Sequence, residues 1–391
     1  MSFNVQVNQI YQLVNDAANQ TLGREDINVE DLQQLVDTGE AILSTTDNFN
    51  TFIGNLLPRI NDAWVAIRKY VGYAPNVMVS GREWGAILQK ISIEMPDSSA
   101  SNPWNLRPGT SYDPNVYNPA KVRQTLFTDR TTHTIKMSIT RRQLKAAFSS
   151  LSELDAFIAG IFTAIDNRMT LDGDNMIMRT IGNAMAETIY AEYPNGIFNT
   201  KSGVRAVNLL YLYNNQTNVQ TPLTVDKCMT DPEFIRFAAY QMGLYHNRMS
   251  AFSTLFNLEG VERHTPAEDM KIVMLADFKS AAGVYLQSDT FHNSFTALPE
   301  ADTVPFWQGS GKNFTFAEVS DIHYNTADNH DVAASGILCC MFDRWALGVR
   351  MVDYDIRTHY NADGDFVNYW YEYTAGYYND KSENMVVFFV A

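Results

Sequence analysis

Between Asn361 and Glu372 the chain reads NADGDFVNYWYE. Oxygen-bearing side chains stand at its first, third, fifth and twelfth places: Asn361, Asp363, Asp365 and Glu372. An EF-hand loop offers calcium its ligands at these spacings. The pattern fails at place six, where a calcium loop needs glycine for its sharp turn. This chain has Phe366 there, and Gly364 comes two residues early. The flanks also read as strands rather than helices. Tyr354, Ile356 and Thr358 alternate with charged residues before the loop, and FVNYWYEY follows it. Asp363-Gly364 between two such runs predicts a β-hairpin, because a primed turn needs positive φ and Asp-Gly supplies it. Val367, Tyr369, Tyr371 and Tyr373 then share one face, with Phe366, Asn368, Trp370 and Glu372 on the other. Both faces carry aromatics, so both are expected to be covered. Glu372 is expected to pair with a basic residue such as Arg357 across the ladder.

A second group is His323 and His330 with Asp328 and Asp331, in HYNTADNHD. These residue types could hold a surface metal, but an exposed polar loop accounts for them more simply. GSGKN, Gly309 to Asn313, has too few glycines for a phosphate cradle and follows a Trp rather than an apolar strand, so it reads as a tight turn. HExxH, GxSxG and GxGxxG are absent. His133 lies among threonines at a strand edge, and His246 ends a helix, where a cation suits the dipole. The three cysteines, Cys228, Cys339 and Cys340, lack zinc spacing and are odd in number, which implies a reduced compartment and no disulfide framework. No catalytic, cofactor-binding or metal-binding residue is assigned, and no cofactor is expected. A calcium-dependent binding protein or hydrolase built on Asn361–Glu372 and His323–Asp331 is the competing reading.

The elements that would position these residues form an α+β chain. Its 391 residues allow two or three domains or one elaborated one. Hydrophobic residues make up 46%, ample for a core, while charged residues make up 19%, below the usual quarter. The many aromatics suit either a large core or buried contacts with partners. A net charge of −15 with no basic block argues against gripping nucleic acid through its phosphates or adsorbing to an anionic membrane. The N-terminus lacks a signal peptide's apolar region, and no apolar run approaches the roughly 20 residues of a membrane helix.

Helical spacing marks NVEDLQQLVDTGEAIL after an Asn28 cap, and FNTFIGNLLPRINDAWVAIRKYV with a bend or restart at Pro58. The period then becomes two. LQKISIEM sets Ile91, Ile93 and Met95 against Lys90, Ser92 and Glu94, and THTIKMSIT alternates Ile135, Met137 and Ile139. Between them lies a polar stretch with Pro96, Pro103, Pro108, Pro114 and Pro119, which cannot form its own core. The two strands are expected to pair as an extended hairpin that reaches out to a partner, with a plain surface insertion as the alternative. Next comes a long amphipathic helix through Leu151, Leu154, Phe157, Ile158, Ile161, Phe162, Ile165 and Met169, resuming at Met176, Ile177, Ile181 and Met185. Gly173 could kink it, and DGDN inside it reads as a solvated face. A YPNG turn and a helix from Pro232, capped by Asp231 or Thr230, follow. From Met270 the texture is α/β: strands at MKIVMLADF, NFTFAEVSDIHY and GILCCMFDR, a short helix at FKSAAGVYL. The last run, MVVFFVA, suits a strand buried on both faces.

Three stretches resemble the major capsid proteins of tailed bacteriophages, whose fold was first seen in the Hong Kong ninety-seven phage. The resemblance looks closest to short-tailed phages of the phi-twenty-nine kind. EWGAILQKISIEMP resembles the entry into that family's extended loop. FTDRTTHTIKMSITRRQLKAAFSSLSELDAFIAGIFTAIDN resembles the return strand and the spine helix. ILCCMFDRWALGVRMVDYDIRTHYNADGDFVNYWYEYTAGYY resembles the return into the closing strands. The resemblance implies an N-terminal helical arm at 1–80, an extended hairpin at 81–140, a peripheral domain at 141–265 and 345–391, and an axial domain at 266–344. The spine helix would run over about 150–187, with closing strands at 350–391. It further implies a non-enzymatic virion subunit that self-assembles as hexamers and pentamers into an icosahedral shell in the host bacterial cytoplasm. The shell would enclose double-stranded DNA without sequence-specific binding and would touch no membrane. Its partners would be copies of itself, a portal protein at one vertex and a separate scaffolding protein. Only about 80 residues precede the loop, so we expect an uncleaved N-terminus, and no immunoglobulin-like domain is expected after Ala391. A minor phage structural protein is the remaining reading.

Overall fold

A computed structural model describes residues 7–23, 88–96, 107–111, 117–128, 130–147, 151–216, 221–287, 300–308 and 314–391, with isolated positions between 37 and 115. The helices expected over 28–43 and 49–71 lie largely outside the described residues, as do GSGKN and His292. In chain order the elements are α1 (Val7–Leu22), β1 (Leu88–Ile93), β2 (Val122–Phe127), β3 (Arg130–Thr140), α2 (Arg141–Ala147), α3 (Leu151–Glu192), β4 (Ala206–Asn208), α4 (Leu209–Asn214), α5 (Pro232–Met249), β5 (Met270–Leu275) and α6 (Ala276–Gln287). Then come β6 (Asp302–Val304), α7 (Phe316–Val319), β7 (Ile322–Asn325), β8 (Asp331–Ala334), β9 (Ile337–Asp343), β10 (Leu347–Asn361), β11 (Phe366–Asn379) and β12 (Met385–Phe389).

The core is a five-stranded mixed sheet in the order β4-β12-β9-β5-β6. Its central strand β12 is apolar on every residue, and β9 is apolar up to its final Asp343, because both faces are covered. Val387 and Phe389 of β12 join one cluster with Ile177, Ile181, Met185 and Ile189 of α3. Those four recur every fourth residue, so they form one stripe along the helix. Val386 and Phe388 join the opposite cluster with Phe234, Ile235, Ala238 and Met242 of α5 and Phe278 of α6. Asp231 starts α5 by accepting the Phe234 amide at 2.8 Å, with Pro232 at the first position. The segmentation expected at 266–344 cuts through this sheet: β5, β6 and β9 lie inside that range, β4 and β12 outside it.

The α3 helix has 42 residues, about 63 Å at 1.5 Å per residue. It runs past Gly173 without a break. DGDN is not a solvated face: Gly173 and Asp174 are buried, and Asp172 accepts the Tyr373 hydroxyl at 2.9 Å. Asp172 has that partner because α3 also crosses a second sheet, of order β10-β11-β3, which carries Tyr373. In the middle strand Val367, Tyr369, Tyr371, Tyr373 and Ala375 are buried, whereas Phe366, Asn368, Trp370 and Glu372 stay half-exposed. Cover on both faces, as expected from the aromatics, is therefore met on one face within a single chain. Thr140 and Gln143 cap α2 reciprocally, the Thr140 Oγ1 accepting from the Gln143 amide at 3.2 Å and the Gln143 Oε1 accepting from the Thr140 amide at 3.0 Å.

Three further expectations change. THTIKMSIT is β3 and pairs with β11, not with β1; the partner of β1 is VRQTLF, β2. Alternation marked both as strands but carried no information on pairing. The β10–β11 connection is a four-residue loop rather than a two-residue Asp-Gly turn. Asn361 pairs with Phe366, and Asp365, not Gly364, takes positive φ, at 50°. Asn361 Oδ1 accepts the amides of Asp363 and Gly364 at 3.0 Å each, an Asx turn that competes with the tighter geometry. NFTFAEV contributes the helical turn α7 instead of a strand.

Gly336, between β8 and β9, has φ of 75°, and a Cβ there would lie 2.1 Å from the Val390 carbonyl oxygen. That carbonyl belongs to the residue whose amide donates to Gly336 at 2.9 Å, so the contact cannot open without loss of a backbone bond. Gly336→Ala is expected to destabilise the unassembled subunit by roughly 2–4 kcal/mol, read as a lowered urea midpoint.

Candidate functional site

The β1–β2 hairpin presents its two faces in an unusual sense. Strand pairing sets Ile93 opposite Val122, Ile91 opposite Gln124, and Gln89 opposite Leu126. With Met95 this is the apolar face of the ribbon, yet its apolar residues are 53% to 64% exposed. The charged face is turned inward instead. Lys90 and Ser92 on β1, Glu94 just after it, and Arg123, Thr125 and Phe127 on β2, are half-buried. The apolar alternation was legible in the sequence, but which face meets the protein's own body was not. A period of two separates the faces without saying where each goes.

An acidic socket receives the inward face. Lys90 Nζ lies 2.6 Å from Asp380 Oδ2 and 2.6 Å from Glu383 Oε1. Arg263 Nε approaches the same Glu383 oxygen at 3.4 Å, and Arg123 pairs with Glu259. The socket residues come from the turn that joins β11 to β12 and from a loop tied to that turn: the amides of Leu258 and Glu259 both donate to the Lys381 carbonyl. Burial pushes the Asp380 carboxyl up, but hydrogen bonds from Lys90 and Ser382 outweigh it and leave Asp380 below the ordinary carboxylate range. At Glu383 burial prevails over the Lys90 contribution and holds the carboxyl above that range. Phe127 adds a ring contact with Tyr378, with centroids 4.8 Å apart.

The residues first singled out for metal chemistry are dispersed. Asn361 closes the Asx turn, Asp365 accepts the Tyr360 hydroxyl at 2.9 Å and faces Arg141, and Glu372 lies along β11 in an ion pair with Arg357. Phe366 and Glu372 are six residues apart on one strand, about 20 Å, so the four oxygens do not converge. His323 Nε2 meets Asp331 Oδ1 at 2.6 Å across the β7–β8 hairpin, while His330 stacks on Tyr190 of α3 with centroids 4.3 Å apart. Asp328 is exposed in the turn between those strands. Among the described residues no three His, Cys, Asp or Glu side chains gather around one point. All three cysteines are buried, and burial pushes their thiols up, Cys228 to about 12, so none is a ready nucleophile.

The model of the phi29-like phage major capsid protein family matches residues 12–389. The chain belongs to this family. A phi29-like major capsid protein is a structural subunit of the phage's icosahedral shell and not an enzyme. The search among curated proteins found no match. Among solved structures the chain is similar to the capsid of Staphylococcus phage Andhra at 11% identity and a TM-score of 0.49, with 83% of this chain and 86% of that chain covered. It is also similar to the mature capsid of bacteriophage PhiM1 at 9% identity and a TM-score of 0.39, covering 83% and 88%. The capsid of cyanophage P-SCSP1u matches at 13% identity and a TM-score of 0.40, covering 81% and 86%. At these values the likenesses add nothing to the family assignment.

For a shell subunit the site that matters is a contact surface. The hairpin turns five apolar side chains outward and sets Lys90 and Arg123 against the body. The dispersed oxygens at Asn361 to Glu372 give a direct expectation. The melting midpoint of this capsid protein is the same in calcium and in chelator; a rise with calcium would show that these side chains converge on an ion.

Proposed function

We propose that this major capsid protein has the Hong Kong ninety-seven type of fold and assembles as hexamers and pentamers into its shell. On this reading the hairpin lies over a neighbouring copy. The observation that carries it is the outward apolar face of Ile91, Ile93, Met95, Val122 and Leu126. A ribbon that exposes its aliphatic side chains while turning Lys90 and Arg123 onto its own body is arranged for a second chain. Covering that face contributes about 1 kcal/mol per side chain, half the value for full burial. The gain is small for one contact and large when repeated around a closed shell.

The segment roles follow the same reading. The hairpin β1–β2 with its Pro-rich tip is the extended loop, and α3 with the β10-β11-β3 sheet is the peripheral domain. The five-stranded sheet, built around residues 266–344, is the centre of the axial domain. Residues 1–80 are the arm. The half-exposed face of Phe366, Asn368, Trp370 and Glu372 is a second surface for a neighbour. The shell encloses double-stranded DNA, and the net charge of −15 suits a container that holds DNA without gripping it. A separate scaffolding protein acts during assembly in the host cytoplasm, and a portal protein occupies one vertex.

The test is a pair of substitutions on the outward face. Ile91→Asp with Ile93→Asp leaves the subunit folded, because both side chains are exposed in the single chain, and prevents shells. Negative-stain microscopy and sedimentation read the outcome. Normal shells from the double variant would remove the hairpin from the contact.

A further inference from the structure

The hairpin is joined to the body in a way that a core element is not. Among the described elements, neither β1 nor β2 shares more than isolated contacts with any except the other. Among the described residues, its inward face meets the body through Lys90 on Asp380 and Glu383, through Arg123 on Glu259, and through a Phe127–Tyr378 ring contact. The Lys121 ammonium lies 4.0 Å from Glu94, but that pair is internal to the hairpin, at the loop end of its strands, and exposed. Side-chain exposure grades the docking pairs: Lys90 keeps 20% against 3% for Asp380 and 9% for Glu383, while Arg123 and Glu259 each keep about a third.

We infer that the hairpin is a charge-latched arm, with Lys90 as the pin and the carboxylates of Asp380 and Glu383 as its socket. Other charges facing the pin are Asp343 at the end of β9 and Arg263, which shares Glu383. With the pin in place the ribbon has one orientation, and the apolar face points outward. Without it the ring contact between Phe127 and Tyr378 is the aromatic pair that joins the hairpin to the body among the described residues, and a two-stranded ribbon is marginal alone. The turn at 380–383 leads directly into β12, so the socket is anchored in the core sheet while the arm is free to leave it. The latch acts within one subunit and holds whether or not a neighbour covers the hairpin.

The test measures orientation in the full-length, unassembled subunit. Spin labels at Gln124→Cys on the hairpin and Glu268→Cys on the body report one distance by pulsed electron paramagnetic resonance. The native cysteines are buried and stay unlabelled. Lys90→Met with Arg123→Met is expected to turn a single narrow distance distribution into a broad one, with the near-ultraviolet circular dichroism of the body retained. Should the unpaired Asp380 unfold that variant, adding Asp380→Asn leaves Glu383 paired with Arg263 and gives the same readout. A distribution that stays narrow in the folded variants would overturn the latch. Loss of the body's fold in the Asp380→Asn combination as well would also overturn it, since the network would then be part of the core.

Discussion

The pairing of β12 with β9 is the constraint on which the other parts depend. Both strands are apolar apart from the final Asp343 of β9, so each must be covered on two faces, and α3 on one side with α5 and α6 on the other supply the cover. That arrangement places residues near the end of the chain in the middle of the sheet. The chain enters β10 through a tight turn, the Ala346 amide donating to the Asp343 carbonyl at 2.9 Å, and leaves β11 through residues 380–384. The β10–β11 ribbon is therefore rooted at both ends in the core sheet. Its tyrosines reach α3, the same helix that lines the core, and the helix so ties the two sheets together. The carboxylates that hold the hairpin stand in the second of those turns, so the core sheet also sets where the arm attaches.

The division of labour between apolar and charged contacts follows from what a shell subunit must do. Contacts inside the subunit are made once and can be apolar and permanent. Contacts between subunits form during assembly, so their apolar surface has to be exposed beforehand. On the proposed reading the hairpin meets both needs by reversing the usual sense of an amphipathic ribbon. Lys90 and Arg123 are matched to carboxylates of the body, and the aliphatic side chains remain exposed.

Much of this was legible in the sequence where one physical rule decided the outcome. MVVFF carries no polar residue, and only a strand covered on both faces suits it. The stripe Ile177, Ile181, Met185 has one period and one consequence, and the structure extends it to Ile189. Asp231-Pro232 begins a helix and does so here. The rejection of a calcium loop rested on Phe366 at the place that needs glycine, and the structure puts Glu372 far along a strand, paired with Arg357 as expected. What was not legible involves choices between partners. THTIKMSIT and VRQTLF are both strands, and only tertiary contacts decide which of them meets LQKISI. Lys90 looked like the solvent side of a strand because its partners are some 290 residues away in sequence. Asp172 and Asp174 looked solvated because the tyrosine that needs Asp172 lies on β11. Asp365 takes the left-handed conformation in place of Gly364 because Asn361 had already claimed the turn amides.

The central claim is that the outward face of the hairpin is the surface through which copies of this chain meet. A density map of particles assembled from the full chain tests it most directly. The account predicts that Ile91, Ile93 and Val122 are buried against an adjacent subunit at every quasi-equivalent position. Particles in which those three side chains remain in solvent, with the subunits joined elsewhere, would contradict it.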